Sequence, residues 1–85
     1  MVTREVYINH ENGLHLRPAG LLCEKASAYQ SKITMEIDGA EYNMKSMLSV
    51  LSARISAPRK GLLKCDGTDE AEALEELVSF LENEK

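Results

Sequence analysis

Apolar Val2, Val6 and Ile8 fall on one side of an alternating run whose other side carries Thr3, Glu5 and Tyr7, which predicts a strand over residues 2–8 with one buried face. Asn12-Gly13 breaks that run. From Leu16 to Tyr29 the spacing changes to steps of three and four: Ala19, Leu22, Ala26 and Tyr29 form one helical stripe, flanked by Leu21 and Cys23. Pro18 is tolerated only in a first turn, where its missing N–H had no helical partner, so the helix starts near His15. Ile33, Met35 and Ile37 then alternate with Thr34 and Glu36, Asp38-Gly39 supplies a tight turn, and residues 40–43 return as the second strand of a hairpin.

Ser46 is placed to cap a short helix of about two turns that carries Met47, Leu48, Val50 and Leu51. Pro58 and Gly61 bracket Arg59-Lys60 as a loop, followed by a short strand in which Leu63 and Cys65 alternate with Leu62 and Lys64 up to Asp66-Gly67. Asp69 and Glu72 have the spacing of a capping box, and Leu74, Leu77, Val78 and Leu81 make the stripe of a last helix. The order β-α-β-β-α-β-α implies an α+β fold: a four-stranded, mostly antiparallel sheet with three helices on one face, residues 1–85 forming a single domain.

With 85 residues the chain has room for one core, and 44% hydrophobic against 28% charged residues suits a globular domain and not a disordered one. No run is long and apolar enough for membrane insertion, and no secretory signal opens the chain, so a cytoplasmic location is expected. Cys23 and Cys65, unpaired in sequence, are expected as reduced thiols. The net charge of -4 is unevenly spread: residues 66–85 hold Asp66, Asp69, Glu70, Glu72, Glu75, Glu76, Glu82 and Glu84 against Lys85 alone, which leaves the remainder mildly basic. Nucleic acid is a poor partner for a chain with 5% aromatic residues, no Trp and no basic stripe.

The densest chemistry lies in Asn12-Gly13-Leu14-His15-Leu16-Arg17-Pro18-Ala19. Free N–H groups and the positive end of a helix dipole, with the Arg17 guanidinium, make an environment suited to a phosphoryl group. The same positive field disfavours imidazolium, so His15 is expected to titrate below an ordinary histidine and to be a neutral nucleophile. From these residues alone, His15 is equally well a capping or surface residue. His10, Glu11 and His15 lack paired metal-ligand spacing, so no metal or other cofactor is expected, and no third group completes a set for catalytic turnover.

Gly13-Leu14-His15-Leu16-Arg17-Pro18-Ala19, then Lys45-Ser46-Met47-Leu48-Ser49-Val50-Leu51-Ser52, then Asp66-Gly67-Thr68-Asp69-Glu70 resemble the HPr family of histidine-containing phosphocarriers of the sugar phosphotransferase system. The likeness covers essentially the whole chain. It implies the open-faced β-sandwich with three helices and a stoichiometric carrier with no turnover of its own. By resemblance, His15 takes a phosphoryl group on Nδ1 from enzyme I, which draws it from phosphoenolpyruvate, and passes it to a sugar-specific enzyme IIA domain. Arg17 corresponds to the arginine that neutralises the phosphoryl oxygens and Pro18 to the residue that sets the turn. Ser46 matches the serine phosphorylated by HPr kinase/phosphorylase in low-GC Gram-positive bacteria, where the modified form binds a catabolite-control repressor.

Met47, Leu48 and Leu51 fall on the family's apolar docking patch, with Leu16 and Lys45 on its rim, although the same residues also suit the core of a short helix. A monomer is expected. Leu16 stands where Ala or Thr is common, Ala53-Arg54 where Leu-Gly is frequent, and residues 56–61 replace a less basic loop. The alternative to a carrier is a regulatory HPr-like module that works mainly through Ser46 or in a non-sugar phosphorelay.

Overall fold

The computed structural model describes residues 1–8, 16–53 and 59–82, Leu16 by its backbone alone. Its elements run β1 (Val2–Ile8), α1 (Leu16–Ser27), β2 (Lys32–Ile37), β3 (Ala40–Asn43), α2 (Met47–Ser52), β4 (Arg59–Asp66) and α3 (Glu70–Glu82). The sheet order is β1-β4-β2-β3 and every pairing is antiparallel. This is the α+β four-stranded sheet with three helices that the patterning implied, with its strand–helix order intact, and the open-faced sandwich that the family resemblance implied.

Alternation decides which side of the sheet is dry. Val6 and Ile8 of β1, Leu63 and Cys65 of β4 and Ile33, Met35 and Ile37 of β2 are buried, and the helices close over them with Ala19, Leu22, Ala26, Val50, Ala73, Leu77, Val78 and Leu81. The β2–β3 turn uses the left-handed backbone at Asp38 (φ 53°) and Gly39 (φ 84°), as the strand twist of a two-residue hairpin requires.

Four local expectations shift. Arg59 and Lys60, expected in a loop, are the first residues of β4 and pair with Ile8 and Tyr7, because β1 offers a partner along its whole length. Helix α1 stops at Ser27 and not at Tyr29: the last turn tightens, with Ala28 N–H donating to Lys25 O and Tyr29 N–H to Ala26 O, each at 3.2 Å. In α3, Ala73 takes a fully buried place while Leu74 is half-buried.

The Asp69–Glu72 capping box is also replaced. Asp69 turns to the α1–β2 connection, where its carboxylate accepts from Ser31 Oγ, from Ser31 N at 3.0 Å and from Gln30 N at 2.9 Å. Ser31 is wholly buried and needs that partner. Glu70 instead ties the turn between β4 and α3, accepting from Gly67 N at 3.1 Å. Only glycine fits at 67, since a Cβ there would lie 2.6 Å from Ser31.

Candidate functional site

The first turn of α1 contains Pro18, half-buried, and Ala19, which anchors it in the core. Arg17 is exposed and forms no ion pair among the described residues. No acid occupies this turn to oppose an anion. His15, with His10, Glu11 and the Asn12-Gly13 turn, lies outside the described residues, as do Arg54 and residues 56–58.

Ser46 is the N-cap of α2. Its extended backbone (φ -108°, ψ 116°) aims the hydroxyl along the helix, where Oγ accepts from Ser49 N at 3.2 Å. Ser49 Oγ in turn accepts from Asn43 N at 2.9 Å, while Asn43 Oδ1 accepts from Lys45 N at 2.9 Å and Asn43 O from Ser46 N at 3.1 Å. The β3–α2 corner is therefore held by side chains before any modification.

The docking residues named from the sequence divide by environment. Leu48 is 79% exposed, whereas Met47 and Leu51 are half-buried and packed on the core cluster. Lys45 Nζ donates to Tyr29 O at 2.7 Å, satisfying a carbonyl just past the end of α1.

Two features escaped the sequence reading. Leu21, taken only as a flank of the α1 stripe, is 46% exposed. It lies one helical turn from Arg17, a spacing that could have marked it as part of the outer face. The second feature is the α1–α2 seam. Cys23 Sγ lies 4.0 Å from Met47 Sδ, and a Cβ on Gly20 would meet Met47 Cε at 3.8 Å, so small and soft side chains bring the two helices together. Burial raises the Cys23 thiol above its ordinary value and keeps it protonated. Both cysteines are free thiols. Among the described residues no cluster of three acidic, His or Cys side chains forms a metal site, and no helix is long and apolar enough to cross a membrane.

Comparison with known proteins gives a consistent result. A family model described as the PTS HPr component phosphorylation site matches residues 2–83. Phosphocarrier protein HPr of Borreliella burgdorferi is 39% identical over 85 residues, covering 100% of this chain and 99% of that protein. The HPr-like protein Crh of Halalkalibacterium halodurans is 37% identical over 84 residues, 99% of this chain and 100% of that one. In three dimensions the chain matches HPr of Thermoanaerobacter tengcongensis with a TM-score of 0.92 at 34% identity, over 95% of this chain and 91% of that one. It matches Crh of Bacillus subtilis, solved as a swapped dimer, with a TM-score of 0.77 at 34% identity, over 95% of this chain and 93% of that one.

Proposed function

Because this chain belongs to the HPr family of phosphotransferase-system phosphocarriers, we propose that His15 accepts a phosphoryl group from phosphorylated enzyme I and hands it to an enzyme IIA domain. The observation that carries this reading is the family match across residues 2–83, which includes His15-Leu16-Arg17-Pro18 at the head of α1. His15 Nδ1 attacks phosphorus as the bond to the enzyme I donor breaks, and Arg17, exposed and without an ion pair among the described residues, bonds the phosphoryl oxygens. The group leaves by the reverse chemistry to the IIA acceptor. The chain is consumed and regenerated stoichiometrically in a cytoplasmic relay.

Leu48 is the most exposed apolar side chain of α2, with Met47 and Leu51 half-buried on the same helix, and Leu16 is assigned to the docking face from the sequence alone. Phosphorylation of Ser46 by an HPr kinase/phosphorylase sets a dianion beside that face and weakens docking to an acidic partner surface; the modified form is the one a catabolite-control repressor reads. The similarity to Crh favours a second reading, in which Ser46 regulation is the main role. Retention of His15 with Arg17 favours the carrier, since a purely regulatory module has no chemical need for either.

The test is incubation with phosphoenolpyruvate and enzyme I, followed by intact mass before and after acid. An acid-labile phosphoryl group that is lost in His15→Ala, with the fold unchanged by circular dichroism, is the expected result. Labelling that persists in that variant, or no labelling of the wild type, overturns the carrier reading.

A further inference from the structure

The four-stranded sheet has two edges, and they are protected differently. β3 is only four residues long, and its last residue, Asn43, turns its N–H to Ser49 Oγ at 2.9 Å. β1 is seven residues long, and its outer edge is a ready template for another strand. One outward donor on that edge is occupied: Tyr7 N–H donates to Glu82 Oε2, 3.2 Å away, at the last residue of α3. By the alternation of an antiparallel ladder the N–H groups of Thr3 and Glu5 point the same way, and among the described residues neither has a partner.

Glu82 is in an unfavourable position for a helix. A carboxylate near a helix C-terminus opposes the dipole, and among the described residues the last turn of α3 has no basic side chain to offset it. A local rule broken in this way points to a role outside the helix. We propose that Glu82 guards the β1 edge: it holds the Tyr7 donor that a second copy of this chain would use to pair β1 with β1 and extend the sheet.

The charges on β1 select the register of that pairing. An antiparallel pair centred on Arg4 would set Arg4 against Arg4, and one centred on Glu5 would set Glu5 against Glu5, both repulsive. Centring on Val6 opposes Glu5 to Tyr7 and Arg4 to Ile8, with no like charges facing, and uses the strand as far as Ile8. In that register the Tyr7 N–H of each copy must donate to the other's Glu5 carbonyl. The acceptor on Glu82 competes for that proton.

The experiment is sedimentation equilibrium on the purified full chain, from micromolar to millimolar, with circular dichroism to confirm folding. Wild type is expected at 9.5 kDa throughout. Glu82→Ala should rise toward twice that mass with concentration, and Glu82→Gln, which keeps an acceptor oxygen, should stay monomeric. Adding Glu5→Pro to Glu82→Ala should restore the monomer, because the Glu5 N–H faces away from β4 and its loss breaks no bond within the sheet. A monomeric Glu82→Ala overturns the proposal, as does a wild type already dimeric through this edge. A dimer that survives Glu5→Pro also overturns it, since exchange of whole β1 strands would tolerate that proline. Phosphoryl acceptance by His15 is measured separately and decides none of these outcomes.

Discussion

The seam between α1 and α2 and the seam between α3 and the sheet are built from different materials. At the first, Gly20, Cys23 and Met47 meet through soft contacts, and Leu21 and Leu48 are left in solvent. At the second, Ala73, Leu77, Val78 and Leu81 are buried, and polar pins tie α3 to α1 and the α1–β2 connection: Asp69 on Ser31, and Glu76 bound by Tyr29 Oη and by Lys25 Nζ at 3.2 Å. Glu76 holds the Tyr29 hydroxyl protonated, its pKa pushed up to about 12. The contrast separates stability from recognition. One seam keeps the fold; the other leaves apolar side chains in solvent, which the proposed function assigns to docking.

Leu77→Ala tests the contrast most severely. Truncating a fully buried leucine should cost about 2–5 kcal/mol in denaturant unfolding. The fraction still folded should accept phosphoryl groups from enzyme I with an unchanged KM. A raised KM in that variant would mean that the two seams are not separable.

Asp69 supplies a pH test of the anchored seam. The Ser31 hydroxyl and the Gln30 and Ser31 N–H groups hold its carboxyl below the ordinary value of 3.8. The stability it contributes is therefore complete above that value and lost as pH falls through the lower folded value. Unfolding midpoints measured from neutral pH into acid should fall less steeply below pH 3.8 for Asp69→Asn than for wild type.

At the docking seam, Ser46→Ala should cost about 1 kcal/mol through loss of the cap on Ser49 N. Ser46→Asp, itself a competent cap, should fold normally but raise the KM for enzyme I, with the defect shrinking as salt screens the charge. A wild-type rate for Ser46→Asp at every ionic strength would leave Ser46 as a helix cap alone. Leu48→Ala should change stability least, within about 0.5 kcal/mol, because the side chain is 79% exposed. It should nonetheless weaken docking in the same kinetic assay, and an unaltered KM would remove Leu48 from the interface.

Element order was legible because each segment carries its own period. Thr3, Glu5 and Tyr7 alternate with the buried side of β1, and Leu77, Val78 and Leu81 repeat at helical spacing whatever they pack against. The residues proposed for the site could be named from the chain because His15-Leu16-Arg17-Pro18 and Lys45-Ser46 are contiguous in it. Contacts between distant residues were not. Asp69 read as a helix cap because its neighbours in sequence suggest one, while its partners Gln30 and Ser31 lie 39 and 38 residues away. Leu21 read as a flank, because exposure is settled only when α2 arrives beside α1.

By itself, then, the sequence determined the strands and helices, their order and the buried face of the sheet, all of which follow from periodicity and short-range groups. Tertiary structure alone decided that Lys45 serves the Tyr29 carbonyl, that Asp69 serves a buried Ser31, that β4 begins at Arg59 beside β1 and that Glu82 sits on the β1 edge. Each of these is a polar group or strand edge finding its partner across the fold. Which partner comes within about 3 Å depends on how the layers stack, and no local pattern encodes that.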